Sequence, residues 1–275
     1  MIRTELIESC EFNFEEFFSK DEKTYSGIVI YDFKDTESNK FISQFLIPFR
    51  RAYLSDRDLE FEVNNGISDR KEAIQNRLPT APHLQSGEFA EILMYFIACH
   101  FIYPDANIRP IKWHWKENRD MACHLTDIVL LRCVDEHAPQ ENDYIFSMEV
   151  KAGATVIGPR SEKSRMEDAI AGAIKDRDSR LGKLIAYLTA QYTRDRNARL
   201  AQLVGRFKES VETNYQRYAG AAIVVEKHCL SYHINNITQD SKFKAQMRDI
   251  QLFAVPINSL KRLYESLYIR VPEEK

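Results

Sequence analysis

Cysteine is scarce and scattered: Cys10, Cys99, Cys123, Cys133 and Cys229 are five residues in 275, and no two of them form a CxxC pair. Such an odd set excludes a disulfide framework and fits the reduced thiols of a cytoplasmic protein. His114, Cys123, His124 and Cys133 match no common zinc-finger spacing, and neighbours such as Cys123 and His124 would point apart in a strand. Long apolar runs are missing as well. None approaches the ~20 residues of a membrane span, and the opening residues lack the basic-then-apolar order of a secretion signal. Positive charge is not in excess: the net charge is −3, so a uniformly basic nucleic-acid coat is excluded. Contact with a polyanion then needs a local patch, and Arg194, Arg196, Arg199, Arg206 and Lys208, opposed only by Asp195, form one. Internal repeats and low-complexity tracts are also absent. What remains is an ordinary globular composition, with 44% hydrophobic and 29% charged residues, in a chain long enough to bury a large core.

Helical patterns alternate with short apolar strands, which predicts an α/β fold. The first eighty residues read as an acidic lobe, opened by Glu5, Glu8, Glu11, Glu15, Glu16, Asp21 and Glu22. This lobe is either an extra layer on one core or a separate surface for docking a partner. A strand is expected over Gly27–Phe33, followed by an apolar stretch from Phe41 to Ile47 that Pro48 interrupts. Asn64-Asn65-Gly66 reads as a turn, and LPTAP, with Pro79 and Pro82, as the boundary to a second region over 81–275. That region should begin with a helix near Gly87–Phe101. Strands near Ile111–Trp115, Thr126–Val134 and Tyr144–Ala152 should follow, then a long helix or helix pair over Arg165–Tyr192. Further strands are expected at Ala219–Glu226 and Ile250–Val255, with a closing helix at Asn258–Tyr268.

One strand carries chemistry. In YIFSMEVKAG, Tyr144, Phe146, Met148 and Val150 alternate with Ile145, Ser147, Glu149 and Lys151, so Glu149 and Lys151 share a face beside an apolar one. A buried charged pair there costs on the order of several kcal/mol unless it is paired or bound to a metal. Asp127 opens the preceding strand. Two carboxylates suit a hard cation, Mg²⁺ or Mn²⁺, which polarises a phosphate and acidifies its water. An adjacent lysine orients or deprotonates that water, and as a base it would need a depressed pKa. Glu88, beside Gly87 on the upstream helix, is expected to complete the metal shell or to bind a second ion, with Glu91 three residues on as the other option. Arg180, Lys183, Tyr187 and Gln191 form a polar stripe at helical spacing that could touch phosphates without reading sequence. The glycine spacing of GATVIGPRS is that of a P-loop, but Pro159-Arg160 stands where the lysine is required, which argues against NTP hydrolysis by this chain.

D-x21-E-x-K, with an acidic helix upstream and a long helix downstream, resembles the PD-(D/E)xK nuclease superfamily. The resemblance implies a restriction-endonuclease-like core of order αβββαβ and places the metal and catalytic groups on Asp127, Glu149 and Lys151. Thr126 stands where the literal motif has proline. SGEFAEILMYF, HLTDIVLL and MEVKAGAT further resemble the nuclease subunit of the Hachiman antiphage defence system. That resemblance implies a DNA nuclease held in check by a superfamily 2 helicase, with ATP use belonging to the helicase. The residues themselves leave open an RNA substrate, a site-specific restriction subunit, or a non-catalytic DNA- or protein-binding adaptor on the same fold. Intact Asp127, Glu149 and Lys151 weigh against the adaptor.

Overall fold

The computed structural model describes residues 12–121, 123, 126–153, 164–208, 215–235, 237 and 241–274. Its strands are β1 Phe18–Asp21, β2 Ile28–Phe33, β3 Ile128–Arg132, β4 Tyr144–Gly153, β5 Gln216–Glu226 and β6 Ile250–Ile257. They form a six-stranded mixed sheet of order β1-β2-β6-β5-β4-β3. The inner four run parallel, while β1 and β3 are antiparallel edges. The inner strands are nearly continuous apolar runs, such as AAIVV in β5, as expected where both faces are covered.

The helices are α1 Phe14–Phe17, α2 Ser38–Tyr53, α3 Asp56–Asn64, α4 Arg70–Gln75, α5 Pro82–Ile97, α6 Arg165–Lys175, α7 Leu181–Arg194, α8 Ala198–Gly205, α9 Leu230–Asn235, α10 Ser241–Gln246 and α11 Leu260–Arg270. Helices α2, α5 and α11 cover one face, packing Phe45, Phe49, Phe89, Leu93 and Leu267 on Phe146, Met148 and Val150. On the opposite face α6 lies over β5 and β6, and α7 and α8 lie over Ile145, Val129 and Leu131. The alternation read in β4 therefore holds: its apolar set meets α5, and Glu149 meets α6.

Two expectations need correction. Pro48 does not interrupt its segment but sits inside α2. The phenylalanines at positions 41, 45 and 49 are fully buried on one stripe, and that packing outweighs the single backbone bond a proline removes. The segment expected as a strand at Ile111–Trp115 is a 3₁₀ turn over Lys112–Trp115. Pro110 has no N–H to give to a ladder, and pairing beside β3 shrinks to an isolated bridge between Ile108 and Leu131. Among the described residues, two strands rather than three thus separate α5 from α6. The first eighty residues add to the same sheet and core: β2 pairs with β6, and Phe33, Phe41 and Phe49 share one core cluster with Phe89 and Tyr268. Helix α5 also begins earlier than expected, because Pro82 suits the first helical position. Residues Ala154 through Lys163, which hold most of the P-loop-like segment, lie outside the described residues, as do Cys10 and His124.

Candidate active site

Asp127 precedes β3 by one residue. The antiparallel register pairs Ile128 with Met148, and continuing it by one position sets Asp127 opposite Glu149. Residues so placed lie roughly 5 Å apart at Cβ. The Val150 N–H donates to Asp127 Oδ2 at 2.8 Å, fixing the carboxylate against the β4 backbone. Lys151 Nζ donates to Glu149 Oε1 at 2.5 Å. Glu149 is 7% exposed, whereas the Lys151 side chain keeps 34% of its surface open. The structure thus brings together the trio that the sequence singled out.

Electrostatics set the trio apart from an ordinary surface pair. Burial, and then the neighbouring charge of Asp127, push the Glu149 carboxyl up to about 7, and the Lys151 ammonium offsets this only in part. Burial would pull the Lys151 ammonium down, but the hydrogen bond and charge of Glu149 more than compensate, so it lies above its ordinary value. In this geometry Lys151 is a donor.

Four further groups surround the trio, and the sequence reading gave none of them a role. Gly172 of α6 passes so close that a Cβ there would meet Glu149 Cδ at 2.6 Å. Asp176, 2% exposed, opens a π-helical turn between α6 and α7; burial raises its carboxyl, and Arg180 Nη1 donates to it at 3.1 Å. Its spacing to Arg180 was visible in the sequence, whereas its approach to Glu149 and Asp127 was not. Lys112 Nζ lies 2.9 Å from Glu91 Oε2 and 3.4 Å from Asp127 Oδ1. Lys116, one 3₁₀ turn on, pairs with Glu88.

The two glutamates of α5 therefore differ in setting. Glu88 is engaged by Lys116 and by the Tyr53 hydroxyl at 2.8 Å, and Tyr53 in turn meets the Tyr268 hydroxyl at 2.7 Å. Burial raises the Glu88 carboxyl. Glu91 instead shares Lys112 with Asp127, which ties it to the trio. Burial raises Glu91 and opposes the Lys112 charge, yet Lys112, answering to two carboxylates, stays above its ordinary value.

The α7 stripe descends from surface to interior: Lys183 is exposed, Tyr187 packs against Trp115, and Gln191 is buried. Tyr187 and Gln191 line a cavity of about 120 Å³ together with Lys112, Lys116 and Cys123. In the basic patch, Arg199 is paired with Glu136 and Arg206 donates to the Asp135 carbonyl.

Among the described residues, no three His, Cys, Asp or Glu side chains are arranged as a ready metal cage. Lysines stand between the carboxylates instead. A divalent cation nevertheless fits the charge balance: Glu91, Asp127, Glu149 and Asp176 interact at close quarters, against Lys112, Lys151 and Arg180. Oxygen donors with surplus negative charge, one of them raised to about 7 by burial and by the Asp127 charge, are the donor type of a hard dication.

Fold and site together define an α/β protein with a carboxylate–lysine centre at the antiparallel edge of its mixed sheet. Residues 5–271 match the HamA family model, and the chain belongs to that family, protein A of the Hachiman antiphage defence system. No curated protein matches the sequence. None of the helices among the described residues is long and apolar enough to cross a membrane.

Proposed function

We propose that this HamA protein is a metal-dependent DNA endonuclease, the effector of its defence system, on a restriction-endonuclease-like core. The observation that carries the reading is the convergence of Asp127, Glu149 and Lys151 where β3 meets the end of β4. A bound Mg²⁺ or Mn²⁺, held by Asp127 and Glu149, would polarise the scissile phosphate and supply an acidified water. Val150 orients Asp127 through its N–H, and Lys151 orients Glu149. The half-exposed Lys151 ammonium then donates to a phosphate oxygen as charge builds on it. Glu88 pairs with Lys116 and Tyr53, apart from the Lys112 link that joins Glu91 to Asp127, so the ion is assigned to Asp127 and Glu149, with Glu88 bracing α5. Arg180 and Lys183 are assigned to backbone phosphates, and Tyr187 and Gln191 to the wall beside them.

Family membership implies a Hachiman system and with it the helicase HamB, which we propose restrains the nuclease. Its dock is proposed on the first eighty residues, where Phe61, Val63 and Ile67 stand exposed. The catalytic assignment is tested by incubating plasmid and linear DNA with wild type, Glu149→Ala and Lys151→Ala, in Mg²⁺, Mn²⁺ or EDTA. Wild type should cleave only with metal, and each substitution should cost at least about 100-fold, the scale of a lost transition-state donor. Equal cleavage by all three proteins would remove the assignment.

A further inference from the structure

Lys112 places a positive charge between carboxylates that arrive from two different elements. Two-ion centres clamp a phosphate between cations about 3.5–4 Å apart. Here Asp127 belongs to two arrangements at once. It lies opposite Glu149 and Lys151 across the β3–β4 pair, and its Oδ1 also faces Lys112 Nζ at 3.4 Å. Glu91 Oε2 reaches the same ammonium at 2.9 Å, so carboxylates from two separate elements converge on one positive charge. Lys112 is 9% exposed, and its Nζ lies 5.5 Å from the centroid of the Trp113 ring. The 3₁₀ turn delivers it, and the turn is held in place by the buried Trp113.

We propose that Lys112 is a built-in cation: its ammonium occupies the second-ion position between Glu91 and Asp127 and fixes the centre at one divalent ion. The proposal rests on the reading that Asp127 and Glu149 hold a divalent ion at all. An ammonium is a compact point charge of one positive unit, seated here largely out of solvent. A second dication would have to displace that ammonium from between Glu91 and Asp127, or crowd in beside both it and the first ion, where water screens poorly. Glu91 is then a positioning residue that acts through Lys112, and not an ion ligand.

The test is a titration of the apoprotein with Mn²⁺ alone, counting bound ions from the paramagnetic resonance of free Mn²⁺, with no turnover involved. Wild type should bind one ion. Lys112→Met, which keeps the stem and removes the charge, should bind two, and the double variant Lys112→Met/Glu91→Gln should return to one. Two ions on wild type, or one on a folded Lys112→Met, would overturn the proposal while leaving the metal reading intact. No ion on wild type would overturn that reading and this inference with it. If Lys112→Met does not fold, Glu91→Gln decides. Affinity for the single ion within about threefold of wild type supports the proposal, and a tenfold loss would make Glu91 a ligand and refute it.

Discussion

Glu149 is buried beside a fixed Asp127 carboxylate, and a proton on it competes with any cation. Its folded pKa of about 7 lies above the ordinary 4.5, so the fold prefers this group protonated. The sign follows from linkage: in the apoprotein this group contributes stability at low pH and loses it as the pH rises from about 4.5 to about 7. Metal binding runs the other way, because the ligand must be ionised. We expect Mg²⁺ or Mn²⁺ affinity, followed by calorimetry, to fall about tenfold per pH unit below about 7 and to level off above it. An affinity constant from pH 5.5 to 8 would contradict the placement of Glu149. At this scale the trio was legible in the sequence because a period of two puts Glu149 and Lys151 on one face, and Asp127 heads the neighbouring strand. Lys112 and Asp176 were not legible. Lys112 reaches the site from a 3₁₀ turn that reads as a strand of alternating aromatics, and Asp176 reaches it through a π-helical turn that no spacing rule announces.

Helix α6 is pressed against the site face of β4, and Gly172 is what permits the approach. A methyl group there would fall within 2.6 Å of the Glu149 carboxyl carbon, inside any real contact distance. Gly172→Ala should therefore displace Glu149 and cut cleavage by at least about tenfold. Its helix propensity meanwhile improves by up to ~1 kcal/mol, so the melting temperature should hold within a few degrees. Unaltered cleavage would show that Glu149 has room to move. Most of the elements could be read from apolar periodicity and punctuation. The two that differ each turn on a proline and its surroundings. Pro48 is carried by a stripe of buried phenylalanines, and Pro110 withholds the donor that would have made Ile111–Trp115 an edge strand.

Among the described residues, one sheet and one main core run from the first eighty residues into the rest. LPTAP lies between α4 and α5, and local composition cannot reveal that β2 will later pair with β6. Deleting the first eighty residues would strip Phe33, Phe41 and Phe49 from that core, so docking is better tested by surface substitution. Phe61→Ser with Ile67→Ser should leave the melting curve in place and abolish co-purification with the helicase, whereas undiminished co-purification would move the dock elsewhere. The account as a whole depends on where a divalent ion goes. Crystals grown with millimolar Mn²⁺ and measured for anomalous scattering should show a peak within roughly 2.1–2.3 Å of carboxylate oxygens of both Asp127 and Glu149. A peak touching neither residue, or no peak between them at saturating Mn²⁺, would contradict it.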